Sequence, residues 1–124
     1  MSKSYAFKKI LIIDDDEIFL RPLIKFLTLM KFQVNIANSG VKGVELYGEI
    51  KFDLVITDLK MEEMNGIEVV NLITKNYPQS KIIVISGFLN SDEFQEIKNN
   101  PHVVTIFEKP LDYEVLLEKI KEII

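Results

Sequence analysis

Five short apolar runs punctuate the chain at intervals that leave room for a helix between each: Lys9 to Ile13, Gln33 to Ala37, Leu54 to Thr57, Lys81 to Ile85 and Val103 to Phe107. The first is too short and too uniformly apolar for an amphipathic helix, and each of the five reads as a strand, the third as a buried one. Between them the apolar residues recur at helical spacing. Leu20, Leu23, Leu27 and Met30 predict a helix over about Glu17 to Lys31, and Val41, Val44 and Tyr47 a second one to about Ile50. Ile67, Val70 and Ile73 predict a third, stopped by Tyr77 and Pro78, and Leu116, Ile120 and Ile123 a last one capped by Asp112. The segment from about Ser91 to Asn99 offers only Phe94 and Ile97 for burial, so it is expected to be the least firmly anchored helix. Pro22 lacks an amide donor. It leaves open whether the first helix starts near Phe19 or is distorted before Leu23.

Strands alternating with helices imply an α/β fold in which a parallel sheet is covered on both faces by right-handed crossovers. With 124 residues the chain is expected to form one domain, 1–124, that buries roughly two thirds of its unfolded surface. Composition changes this picture little. Hydrophobic residues at 48% and charged residues at 27% are ordinary for a globular chain. A net charge of −4 gives no basic footprint for nucleic acid or for an anionic membrane. There is no cysteine, hence neither disulfide nor thiolate metal site, and no leader-like or membrane-spanning apolar run. The expected location is the cytoplasm.

The chemistry lies where the strands end. The first strand runs into Asp14, Asp15 and Asp16, the third into Asp58, the fourth into Ser86 and Gly87, and the fifth leads to Lys109. In a parallel sheet these tips share one edge, the edge at which open α/β sheets bind ligands. Carboxylates gathered there repel one another, and a divalent cation is the usual compensation. Oxygen-only ligands without His or Cys favour Mg²⁺, or Mn²⁺, over zinc. A lysine charge and a serine hydroxyl would complete a phosphoryl site, suited to an aspartate that becomes acyl-phosphorylated.

Four segments, IIDDDE, ITDLKMEEMNG, VISG and FEKP, occur in the order and spacing of one known family, and the chain resembles the receiver domain of two-component response regulators over nearly its whole length. Each segment alone is weak; the four together are specific. The resemblance implies the flavodoxin-like (βα)5 fold with strand order 2-1-3-4-5. It implies that Asp58 accepts a phosphoryl group from a sensor histidine kinase or phosphotransfer protein, that Asp15 and Asp58 ligate Mg²⁺ directly with the backbone carbonyl of Lys60, and that Asp14 acts mainly through bound water. Ser86 would bond a phosphoryl oxygen, Lys109 would pair first with the carboxylate and then with the phosphate, and Gly87 would leave room for the group. Phe88, two residues past Ser86, is expected to overhang the phosphoryl group and restrict water. The partner of the switched form is an unknown output protein or fused effector, with the fourth helix, fifth strand and fifth helix as output and dimer face.

Three departures from the family pattern stand out. Met61, Glu62, Glu63 replace a Met-Pro-Gly turn, Leu111 follows Pro110 where Phe is common, and Ile106 occupies the place of an aromatic switch residue, with Phe107 expected on the opposite sheet face. Without the ring at Ile106, coupling to the output face is expected to be weaker or to run through the fourth helix. Two other classes fit less well. A haloacid-dehalogenase-type phosphatase could use Asp14 and Asp16 but needs a late acidic pair that is missing between Lys109 and Ile124, and a flavin carrier would place its phosphate against three aspartates. His102, the one histidine, is expected to be an exposed loop residue far from the strand tips, and Asp16 and Glu17 to be helix N-terminal charges.

Overall fold

The computed structural model describes residues 7–87 and 92–124. Its elements follow in the order β1 (Lys9–Ile13), α1 (Glu17–Leu29), β2 (Gln33–Ala37), α2 (Gly40–Glu49), β3 (Leu54–Thr57), α3 (Gly66–Asn76), β4 (Ile82–Ser86), α4 (Asp92–Ile97), β5 (Val103–Glu108) and α5 (Tyr113–Ile123). The strands form one parallel sheet in the order β2-β1-β3-β4-β5. Alternation along each strand divides the core in two. Ile10, Ile12, Leu54, Ile56, Ile83 and Ile85 pack under α1 and α5, whereas Leu11, Ile13, Val55, Ile82 and Val84 pack under α2, α3 and Ile97 of α4. Among the described residues no helix is long and apolar enough to cross a membrane.

Helix α1 answers the question left open by Pro22. Regular helix begins at Glu17 and runs through the proline, because Asp16 caps it by accepting from the Phe19 amide at 3.2 Å. The carbonyl that loses its partner belongs to Ile18, a residue 87% exposed, where water is at hand. The helix stops at Leu29, two residues short of expectation. Lys31 sits at φ 76°, its amide donates to the Thr28 carbonyl and the next amide, Phe32, to that of Leu27. This is a Schellman ending with Lys where Gly is usual, so the sequence carried no stop signal. Phe32 is buried and supplies the accompanying apolar contact.

Three further expectations are corrected. In α2 it is Gly40, Gly43 and Tyr47 that are buried, with Val44 partly so, while Val41 is exposed. The reason is proximity: a Cβ on Gly43 would overlap the side chain of Ile13, so α2 lies against β1 along its glycine side. β5 extends one residue further, to Glu108, and carries an extra residue between the pairs Ile82↔Val103 and Ile83↔Thr105. Val103 and Ile106 therefore share a face although three residues apart, and Phe107 faces the other core. His102 is half-buried rather than exposed; its Nδ1 lies 3.2 Å from the Ser80 carbonyl oxygen and its own carbonyl accepts from the Ile82 amide. Pairing of β5 with β4 begins here, which draws the residue in. It remains at the sheet edge opposite the aspartates.

One close approach couples the fold to the strand-tip loop. A Cβ on Gly66 would overlap the carbonyl oxygen of Asp58 and lie 2.7 Å from the Cα of Leu59. Both neighbours are backbone atoms of buried residues, so neither can swing aside. Gly66→Ala should therefore lower stability by about 1–3 kcal/mol, the usual cost of overpacking, seen as a lower urea midpoint with unchanged slope. An unchanged midpoint would show that the loop yields freely.

Candidate functional site

The register of the sheet sets the site. Ile13 pairs with Thr57 across β1 and β3, so the residues that follow, Asp14 and Asp58, emerge side by side. Their backbones are anchored before their side chains act. The Asp14 amide donates to the Ala37 carbonyl and the Asp58 amide to that of Ile13, each at 3.1 Å. The Asp58 carbonyl accepts from the Thr57 hydroxyl at 3.0 Å.

Asp14 is 2% and Asp58 7% exposed, an expensive setting for two neighbouring carboxylates. Lys109 supplies the compensation. Its Nζ donates to Asp14 Oδ2 at 3.0 Å and to Asp58 Oδ2 at 3.3 Å. The remaining oxygens have backbone donors: the Asp16 amide bonds Asp14 Oδ1 at 3.0 Å and the Leu59 amide bonds Asp58 Oδ1 at 2.7 Å. Burial still holds the Asp14 carboxyl above its ordinary pKa, helped by the charge of Asp58, because the Asp16 amide and Lys109 only partly offset them. For Lys109 burial pulls toward the neutral amine, but Asp14 and Asp58 together outweigh it, and its pKa stands above the usual lysine value.

The sequence-derived residues divide as follows. Asp14, Asp15 and Asp58 each bring a carboxylate oxygen into a cluster within 4.8 Å, with Asp15 on the exposed side. Ser86 ends β4, fully buried, and its carbonyl accepts the Lys109 amide at 2.9 Å, which fixes the start of the lysine-bearing segment. Gly87 is exposed, and a Cβ on it would meet nothing within 4 Å among the described residues. Lys60 follows the buried Leu59 as an exposed loop residue, and the loop turns through Glu63 at φ 64°. Ile106 is half-buried beside β4, paired with Val84. Phe88 lies outside the described residues.

Two neighbours of Lys109 escaped the sequence reading. Asp16 Oδ2 lies 4.0 Å from Nζ, and the Phe19 ring centroid lies 4.2 Å from it. Only a hint was present in the chain. Asp16 and Phe19 are three residues apart at a helix start, hence on the same side of its first turn.

The donor set is hard: carboxylate oxygens, two of them buried, with neither thiolate nor imidazole in the cluster. It fits a Mg²⁺-class ion, and the ammonium already placed between Asp14 and Asp58 shows that the site demands positive charge.

Comparison with known proteins agrees with this geometry. The family model of the response regulator receiver domain matches residues 10–121, which include every residue of the cluster. The response regulator receiver protein CpdR of Brucella abortus is 31% identical over 121 residues, covering 94% of this chain and 97% of that protein. The chemotaxis protein CheY of Thermotoga maritima is 42% identical over 82 residues, 64% of this chain and 68% of that one. Among solved structures, a CheY-like receiver domain from Methanospirillum hungatei superposes with a TM-score of 0.87 at 32% identity, over 94% of this chain and 93% of the other. Sequence motifs, strand order and strand-tip cluster thus converge, and the chain belongs to the receiver domain family of two-component response regulators.

Proposed function

We propose that this receiver is a phosphorylation switch in which Asp58 accepts a phosphoryl group from a histidine kinase or phosphotransfer protein in a Mg²⁺-dependent reaction in the cytoplasm. The observation that carries this reading is one cation, Lys109, held between two buried carboxylates on adjacent strand tips. In the transfer, one Asp58 carboxylate oxygen forms the new P–O bond. The P–N bond of the phosphohistidine donor breaks, and its electron pair leaves with the imidazole nitrogen.

Asp15, Asp58 and the Lys60 carbonyl would hold the metal, with Asp14 contributing charge. When bound, the ion supplies charge neutralisation to the transferring phosphoryl group. The side chains do the rest. The Leu59 amide steadies one Asp58 oxygen and leaves the other toward Lys109. Lys109 stays protonated at neutral pH, so its charge can follow negative charge from carboxylate to phosphoryl oxygen. Ser86, on the same edge, is the proposed donor to a phosphoryl oxygen after transfer, and the exposed face at Gly87 is the entry side. The output partner would then be chosen by the surface around α4, β5 and α5.

Three outcomes test this reading. Asp58→Ala should lose labelling by phosphoramidate or acetyl phosphate, since these small donors need the nucleophile and the metal but no kinase; labelling at the wild-type rate would assign the acceptor elsewhere. Lys109→Ala should still bind Mg²⁺, as the lost charge opposes the metal, yet lose a charge-assisted contact of about 1.5–3 kcal/mol to the phosphoryl group. A Mg²⁺ affinity at least about tenfold weaker, equivalent to 1.4 kcal/mol, would mean that Lys109 organises the carboxylates instead. The third concerns pH in metal-free buffer. A carboxyl whose folded pKa is raised contributes stability below its unfolded pKa that is lost as pH rises through the folded one. Asp14→Asn cannot ionise, so its stability relative to wild type should grow as pH rises from below the ordinary carboxyl range toward neutrality. A difference that shrinks over this window in urea titrations would contradict the assigned sign.

A further inference from the structure

Lys109 is held by more than its two carboxylates. Its side chain is 18% exposed, and among the described residues its ammonium has four near neighbours: Asp14 Oδ2 at 3.0 Å, Asp58 Oδ2 at 3.3 Å, Asp16 Oδ2 at 4.0 Å and the Phe19 ring centroid at 4.2 Å. Three of these are anionic oxygens and the fourth is an aromatic face. The ring is itself fixed. Phe19 packs against the core under α1, and its amide is tied to the Asp16 side chain at 3.2 Å. An ammonium over a ring face is attracted by the ring quadrupole, and more strongly where water is scarce.

We propose that Phe19 is a positioning residue for Lys109, its ring setting how firmly the ammonium holds the carboxylates of Asp14 and Asp58 against a competing divalent cation. The inference rests on reading this cluster as the metal and phosphoryl site. The ammonium and the metal need the same carboxylate oxygens, whereas the ring has no lone pair to offer a hard cation. Its attraction is therefore spent on the ammonium alone. A ring here shifts the competition toward lysine and weakens the metal, without touching a single carboxylate.

The contact can be read first without metal. In the metal-free protein the Lys109 ε-methylene protons should be shifted upfield by the ring current, and Phe19→Leu should return them to the ordinary lysine position. Ordinary shifts in the wild type would overturn the proposal. The functional consequence is read by Mg²⁺ calorimetry. Phe19→Leu, which keeps an apolar side chain for α1, should bind Mg²⁺ about two- to fivefold more tightly, and Phe19→Tyr, which keeps the ring, should match wild type. In a Lys109→Ala background the Leu change should have no effect on the affinity. An equal effect in both backgrounds, or none in either, would show that Phe19 acts only by packing. Should the Leu variant melt early, Phe19→Met provides the same comparison. Failure of phosphoramidate to label Asp58 would instead overturn the phosphoacceptor reading, and would leave the ring-current result standing.

Discussion

Everything at the functional edge follows from crowding negative charge. Asp14 and Asp58 are buried side by side because β1 and β3 are neighbours in register, and two such charges cost far more than packing around them returns. Lys109 is what makes the arrangement tolerable. It reaches both carboxylates from the loop after β5, at the far edge of the sheet, with its segment fixed to β4 through the Ser86 carbonyl. Yet the compensation is incomplete, since Asp14 still resists ionisation. A cluster left with surplus negative charge suits a hard cation.

The fold meets this demand with rigid parts and close approaches. Nearly continuous apolar strands bury both sheet faces, which fixes the tips to which the charged residues are attached. Gly43 lets α2 lie against Ile13, and Gly66 lets the start of α3 press on the Asp58 backbone. The second contact ties the loop that follows Asp58 to a helix cap, because Asn65 accepts the Glu68 amide at 3.0 Å. Against this rigidity, α4 is a helix of six residues with Ile97 as its buried anchor, and its neighbour Phe94 is only partly covered. Ile106 lies on the same side of the sheet as these two residues. The β-branched side chain there is stiff at its first torsion and has no hydroxyl whose hydrogen bond could set two states apart.

The chain's own periodicity determined the fold class, the ten elements and the list of residues at the strand tips. That much is local: apolar runs of strand length, helical stripes and the parallel connectivity they force place Asp14, Asp15, Asp58, Ser86 and Lys109 on one edge whatever the details. What escaped depends on backbone states and on distant pairs. The end of α1 needed Lys31 in a left-handed conformation, which no residue-type signal announced. The extra residue in β5 changed which side chains share a face, and His102 was drawn inward by pairing that starts at Ile82. The seating of Lys109 against Phe19 is the clearest case. Those two residues are ninety positions apart in the chain, and only the packing of α1 beside the β5 tip brings a ring to within 4.2 Å of the ammonium. Sequence spacing specifies neighbours along an element; contact between elements is settled by how their side chains fill the space between them.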